Sequence, residues 1–254
     1  MTEQGTLTVF EEKINKAFEA NGIRALSGEE IRLFYRLTEQ LLEANRTMNL
    51  TAVTETEDIL VKHYADCAVL AGIFAENSAV ADIGAGAGFP TLPLAILRRD
   101  LKLTAIDSTA KKMHYVQRTA EMLGLKNVST EAGRAEELGR DVRFREAFDA
   151  VCARAVAEMC VLAEWCLPLV KPGGLFAAMK AKTGRAEIES CRGAFALLGG
   201  GKPDVREIPL RNPFLSDEHP DAVQYRCLIL VQKNSRTPRQ YPRGNAQIRR
   251  KPLA

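Results

Sequence analysis

Asp82-Ile83-Gly84-Ala85-Gly86-Ala87-Gly88-Phe89-Pro90 ends the short run Val80–Ile83 in a loop with glycine at alternate positions. Glycine tolerates positive φ and lets backbone approach a ligand closely, and the carboxyl end of a strand is where doubly wound α/β sheets bind nucleotides. Alone, such a loop also fits a plain tight turn. Its context sharpens the reading, because Asp107 closes the next run, Lys102–Ile106, 23 residues after Gly84. A carboxylate there can accept both hydroxyls of a ribose. The spacing is GxGxG and not the GxGxxG of a dinucleotide site. S-adenosylmethionine, with adenine, ribose and a sulfonium but no phosphate, suits it better.

Outward from this loop the pattern repeats: a short apolar run, a turn, then a helical periodicity, as expected of a parallel sheet with crossover helices. Strands are expected at Val80–Ile83, Lys102–Ile106, Val128–Thr130, Ala150–Ala153 and Leu175–Met179, with helices at about 91–98, 109–123, 156–166 and 185–198. Lys171-Pro172-Gly173-Gly174 reads as a turn before the fifth strand. Asp204–Leu210 and Tyr225–Gln232 read as a final pair joined by a long loop, giving a seven-stranded, mostly parallel sheet with one late antiparallel strand. Before Val80 the chain reads as helical. Val9, Phe10, Ile14, Ala17 and Phe18 share a face over 9–20; Ser27 with Glu30 fits a capping box opening a helix to about Glu43; Thr54 with Glu57 repeats that signal before a helix over about 55–74. The chain thus divides into helices over residues 1–53, the α/β domain over 54–232, and a basic segment over 233–254 expected to pack on or near the cleft.

At 254 residues, 46% hydrophobic and 26% charged, the chain can bury a sizeable core, which excludes global disorder. The formal charge of +3 is an average: residues 233–254 hold seven of the 35 Lys and Arg and no Asp or Glu, so the rest sums to 28 minus 32, or −4. Cys67, Cys152, Cys160, Cys166, Cys191 and Cys227 form no CxxC pair and have no His at ligand spacing, so buried free thiols and no metal site are expected. MTEQGTLTVF lacks a basic region followed by an apolar run, and no stretch reaches the ~20 apolar residues of a membrane span. A cytoplasmic protein without membrane contact is the expectation.

Several residues carry candidate chemistry. Gly133-Arg134-Ala135-Glu136-Glu137-Leu138 follows the third strand; it reads either as a helix start with acidic residues near its amino end or as a loop bordering an adenine. Arg154 and Lys180, at the ends of the fourth and fifth strands, and Lys182 beyond them would face the same cleft, since a cation inside a strand carries a large burial penalty. His63 and Asp66 are three apart on one helix face, for substrate or for packing. His114 and His219 read as structural or exposed, and Trp165 as core. The tail cations, among them Arg243, Arg249 and Arg250, with Tyr241 between them, suit nucleic-acid phosphates and base stacking, or merely solubilise the chain end.

Asn49-Leu50-Thr51-Ala52, Lys62-His63-Tyr64 with Asp66, DIGAGAGFP, Ile106-Asp107-Ser108, GRAEEL, FDAVCARAVA, LPLVKPGG and the terminal YPR and KPL occur in this order over about four fifths of the chain. In that combination the sequence resembles the bacterial 16S ribosomal RNA guanine-N7 methyltransferases, also called glucose-inhibited division protein B. The resemblance implies a class I S-adenosylmethionine-dependent methyltransferase: a Rossmann-like α/β fold with a small N-terminal helical subdomain. It implies cofactor contacts at Gly84, Gly86, Phe89, Asp107, Ala135, Glu136 and Arg154, and methyl transfer to N7 of a guanine in the decoding-region loop of 16S ribosomal RNA. That RNA, within a small-subunit particle, would be the partner. Substrate-side chemistry would fall to His63, Asp66, Arg154 and Lys180, and RNA contacts to Lys182, Tyr241, Arg243, Arg249 and Arg250. Thr91, Ala181 and Gly244 depart from the family pattern, which commonly has glycine, glycine and a basic residue there.

Overall fold

The computed structural model describes residues 3–154, 156–181 and 184–253. Two helices open the chain, α1 (Glu3–Ala20) and α2 (Gly28–Met48). The capping box forms as expected: Ser27 Oγ accepts from Glu30 N, and the Glu30 carboxylate accepts from Ser27 N. Asn49, in the left-handed region at φ 50°, ends α2 beyond the expected Glu43.

The expected single helix over about 55–74 is broken into short pieces. α3 (Thr56–Ile59) passes into a π-helical turn over Leu60–Ala65, then α4 (Asp66–Ala68) and a 3-10 turn over Val69–Gly72. Thr54 and Glu57 form no capping box; Glu55 is the N-cap without a side-chain bond, and Glu57 pairs instead with Lys13 of α1 at 2.6 Å. A π turn inserts a residue and rotates the next part of the helix, and such turns recur at functional sites. Here it carries His63 and leads into Asp66.

The sheet runs β1 (Ala79–Ile83), β2 (Lys102–Asp107), β3 (Val128–Ala132), β4 (Phe148–Arg154), β5 (Val170–Ala181), β6 (Asp204–Arg211) and β7 (Val223–Gln232), in the spatial order β3-β2-β1-β4-β5-β7-β6. β1 to β5 are parallel, and β7 inserts antiparallel between β5 and β6. This is the seven-stranded, mostly parallel sheet that the alternation of runs and helices implied, in the Rossmann-like class I methyltransferase arrangement that the resemblance implied. The turn expected at Lys171–Gly174 lies inside β5, where the β4 register jumps from Phe148↔Val170 to Ala150↔Leu175.

The connecting helices are α5 (Thr91–Leu97), α6 (Ala110–Met122), α7 (Ala135–Leu138), α8 (Met159–Cys166), α9 (Gly184–Glu189) and α10 (Arg192–Leu197), and α11 (Asn245–Arg250) closes the chain. The helix expected over 185–198 is thus two, separated at Ser190–Cys191. Strand residues alternate between two cores: Val80 joins α1, α2, α5 and α6 on one face, while Ala81 and Ile83 join α7, α8 and α11 on the other. Strand order reverses between β1 and β4, so the loops leaving their carboxyl ends open a crevice there.

The thiols correct one expectation. Cys160 and Cys191 form a disulfide between α8 and the α9–α10 break, while Cys67, Cys152, Cys166 and Cys227 are buried outside that bond. Burial pushes Cys67 up to about 12 and the thiols of Cys152 and Cys166 well above their usual range, which leaves them poor nucleophiles. Among the described residues, no helix is long and apolar enough to cross a membrane.

Candidate functional site

The loop after β1 folds back on the end of β2: Gly84 N and Ala85 N both donate to Ile106 O, at 2.8 and 3.1 Å. Gly84, Gly86 and Gly88 all have positive φ, at 72°, 57° and 89°. A Cβ on Gly84 would lie 2.7 Å from Val156 Cγ2, so glycine is needed there for space as well as for conformation. Asp107 holds the loop's shape, its Oδ2 accepting from Gly86 N at 3.1 Å and its Oδ1 from Thr109 N at 2.8 Å. A carboxylate offers about four acceptor positions, so it retains capacity for a diol.

Beneath the loop lies Asp82, fully buried. Its Oδ2 accepts from both Thr91 N and Thr91 Oγ, at 3.2 and 2.7 Å, while Oδ1 has no partner among the described residues. Burial pushes its carboxyl up to about 6 against the pull of the Thr91 bonds. Thr91, one of the departures from the family pattern, therefore adds a hydroxyl that glycine would lack.

Gly84, Asp107, Gly133, Ala135 and Glu136 line one pocket together with Val156, Trp165, Asn245 and Arg249. Its chemistry fits an adenosyl group: two carboxylates, Asp107 and the buried Glu136, sit among small and apolar residues, with the glycine loop open beside them. Among the described residues no group of His, Cys, Asp and Glu is placed to hold a metal ion.

Next to the glycine loop a second cluster forms where the π turn meets β4 and β7. Asp66, 3% exposed, accepts from two arginines: Arg154 Nη1 at 3.2 Å through Oδ2 and Arg226 Nε at 3.0 Å through Oδ1. Arg154 Nη1 also donates to Lys62 O at 3.1 Å, and its guanidinium lies over the Phe89 ring at 5.6 Å. His63 stacks on the same ring at 4.5 Å. Its Nδ1 lies 3.2 Å from Lys62 O and its Nε2 2.9 Å from Thr51 Oγ. A carbonyl only accepts, so the proton is assigned to Nδ1 and Nε2 accepts from Thr51. Burial, reinforced by the charge of Arg154, pulls His63 down to about 4, so it is neutral near pH 7 with both nitrogens engaged.

The structure thus gathers Gly84, Gly86, Asp107, Ala135 and Glu136 around one pocket and loop, and His63, Asp66, Phe89 and Arg154 beside it. Lys180 lies at the end of β5 but is committed elsewhere, to Glu187 at 2.9 Å and Ala157 O at 2.6 Å. Lys182 lies outside the described residues. Arg226 went unnoticed in the sequence, although a cation inside the apolar strand Val223–Val231 carries the same burial penalty that singled out Arg154.

The tail departs furthest from expectation. Arg243 does not stand free for phosphate: it forms a bidentate pair with Glu164 of α8, with Nε at 2.9 Å and Nη2 at 2.7 Å, and Glu164 is fully buried. Lys233 is also fully buried, donating to Leu167 O at 2.7 Å and Leu198 O at 3.0 Å, and burial draws it down to about 8. Tyr241 is half-buried against the second core, and its carbonyl accepts from Arg145 Nη1 at 2.8 Å. Arg249, expected on the RNA side, lies over the Trp165 ring at 5.1 Å and lines the same pocket as Asp107. Trp165, expected in the core, is buried but forms part of that pocket wall. Arg236, Arg239, Arg249, Arg250 and Lys251 are all exposed.

Comparison with known proteins bears on this site. Residues 30–209 match the family described as rRNA small subunit methyltransferase G. The chain is 41% identical over 245 residues to the ribosomal RNA small subunit methyltransferase G of an Exiguobacterium species, covering 96% of this chain and 99% of that one. It is 40% identical over 232 residues to the protein of that name from Lactobacillus acidophilus, covering 90% and 93%. Among solved structures, a SAM-dependent O-methyltransferase from Thermotoga maritima shares the fold at a TM-score of 0.51 and 17% identity, over 78% of this chain and 72% of that one.

Proposed function

The chain belongs to the rRNA small subunit methyltransferase G family, and from that premise we propose that it transfers a methyl group to N7 of a guanine in the decoding-region loop of 16S ribosomal RNA. S-adenosylmethionine is the cofactor, and when bound it supplies an electrophilic methyl carbon on a cationic sulfur. Asp107 binds the ribose diol, Ala135 and Glu136 border the adenine, and the loop from Gly84 to Phe89 passes close to the rest of the group. The buried Asp82 and Thr91 hold that loop from below.

The observation that carries the acceptor assignment is that, among the described residues, the His63–Arg154 cluster offers no free strong base. An amino or hydroxyl acceptor must lose a proton when methylated, whereas guanine N7 offers a lone pair and carries none. His63, neutral and hydrogen-bonded at both nitrogens, is suited to holding Phe89 flat and not to taking a proton. Arg154, fixed by Asp66 and Lys62 O, is suited to donate to the guanine O6 edge and to orient the base. The work of the protein is then orientation and charge placement, with the target nucleotide drawn out of its local fold.

The remaining assignments are part of the same reading: the exposed tail cations Arg236, Arg239, Arg250 and Lys251 meet RNA phosphate, the helices over residues 1–53 support the site from one side, and the protein works in the cytoplasm on a small-subunit particle. The test is incubation with tritiated S-adenosylmethionine and unmethylated 16S RNA or 30S subunits, followed by nuclease mapping. Label in 7-methylguanosine of the small-subunit RNA is expected. Label confined to another RNA or another nucleoside, or no transfer, overturns the assignment.

A further inference from the structure

The C-terminal segment, expected on or near the cleft, sets its helix α11 against the cofactor pocket. Asn245 and Arg249, one turn apart on α11, line the pocket that also contains Asp107 and Glu136. Asn245 Oδ1 accepts from Arg249 Nε at 3.3 Å, which holds the guanidinium over the Trp165 ring at 5.1 Å. The indole Nε1 of Trp165 is buried without a hydrogen-bond partner among the described residues. A buried donor left unsatisfied beside a pocket marks a place where the protein alone is incomplete.

The placement of α11 is strongly specified. Ile248 is fully buried in the second core, and the Arg243–Glu164 pair ties the segment to α8, the helix that carries Trp165. Arg140 Nε donates to Pro242 O at 2.7 Å from just beyond α7, the helix that carries Glu136. The tail is thus fastened to both helices whose side chains form the adenosyl end of the pocket.

We propose that α11 is a wall of the cofactor site, with Asn245 and Arg249 as cofactor-positioning residues, so that docking of the tail and binding of the adenosyl group are one coupled equilibrium. Arg249 covers the pocket by its stack on Trp165, and Asn245 keeps it there. Coupling of this kind is reciprocal: whatever loosens the tail weakens the cofactor, and the cofactor in turn holds the tail down. The proposal rests on the reading of this pocket as the S-adenosylmethionine site.

The probe is S-adenosylhomocysteine, titrated calorimetrically into the full-length protein, with trypsin sensitivity of the tail as a second measurement. Asn245→Ala and Arg249→Ala are expected to raise the dissociation constant about threefold, the range of a solvent-exposed cation–π contact. Gln247→Ala, exposed on the same helix, is the control expected to bind like the parent. Saturating S-adenosylhomocysteine is expected to slow cleavage after Arg249 and Arg250, and to change the emission of Trp165, the one tryptophan in the chain. Parent-like affinity of both variants, with tail cleavage indifferent to ligand, overturns the proposal. If Arg249→Ala weakens only RNA binding, in a salt-dependent way, the residue is an RNA contact and the proposal fails. No binding to the parent protein removes the pocket reading itself, a failure distinguishable from the other two.

Discussion

Replacing Asp66 with asparagine removes the single carboxylate shared by Arg154 and Arg226 while keeping the side chain's size. Asp66 is 3% exposed, whereas the two arginine side chains keep 18% and 20% of their area in contact with water. Breaking a fully buried ion pair from one side costs about 3–5 kcal/mol because the remaining charge is stranded. Here water reaches both guanidiniums and the asparagine oxygen still accepts from one of them, so the expected cost is about 2–4 kcal/mol. For a chain of this size that corresponds to roughly 5–12 °C in Tm. Denaturant melts of Asp66→Asn, Arg226→Gln and the double variant give the pairwise coupling, expected above about 1 kcal/mol. The loosened Arg154 should lower kcat about tenfold or more, while the dissociation constant of S-adenosylhomocysteine changes less than about threefold. A variant within about 1 kcal/mol of the parent and with unchanged kcat would refute the role given to this triad.

Other consequences are independent of it. His63 sits near 4 in the folded protein and near 6.5 when unfolded, so the unfolded chain takes up the proton first. Its contribution to stability, present above pH 6.5, falls as pH drops towards 4, by up to about 3 kcal/mol. Asp82, raised from 3.8 to about 6, acts in the opposite sense over much of that window, because there the folded chain takes up the proton first. His63→Asn should therefore lose less stability between pH 7 and pH 5 than the parent does, and equal losses in urea melts would count against the burial argument. Asp107→Ala should raise the S-adenosylhomocysteine dissociation constant about tenfold or more, measured calorimetrically, since it removes charged acceptors and frees Gly86. Arg243→Ala should cost about 3–5 kcal/mol in denaturant melts by stranding the buried Glu164 carboxylate, and a loss below about 1 kcal/mol would return Arg243 to the RNA side. Gly84→Ala should weaken cofactor binding through its φ of 72° and the contact with Val156, with partial rescue by Val156→Ala in the same titration.

Local grammar was the legible part of the sequence. The strand–loop–helix alternation around β1 to β4 and the Ser27–Glu30 cap depend on residues near one another in the chain, and both appear where expected. The helix after Thr54 did not, because a capping pattern cannot see that Lys13 of another helix will claim Glu57. The break between α9 and α10 and the Cys160–Cys191 pair depend on contacts 31 residues apart, which spacing alone does not specify. The tail is the clearest case. Counting its charges suggested cations for RNA phosphate or for solvation, but Lys233 points into the core and Arg243 finds Glu164, 79 residues earlier. Charge composition describes a segment's solvation only when its charges stay in solvent.

Methylation at guanine N7 leaves a chemical mark. A 7-methylguanosine in RNA is sensitised to borohydride reduction, after which aniline cleaves the strand at that nucleotide. Unmethylated 30S subunits should become cleavable at one guanine of the decoding-region loop after incubation with the protein and S-adenosylmethionine, and less so at subsaturating cofactor when Asp107→Ala replaces the parent. Transfer of methyl label to the RNA without such cleavage would place the methyl on another atom and contradict the N7 assignment.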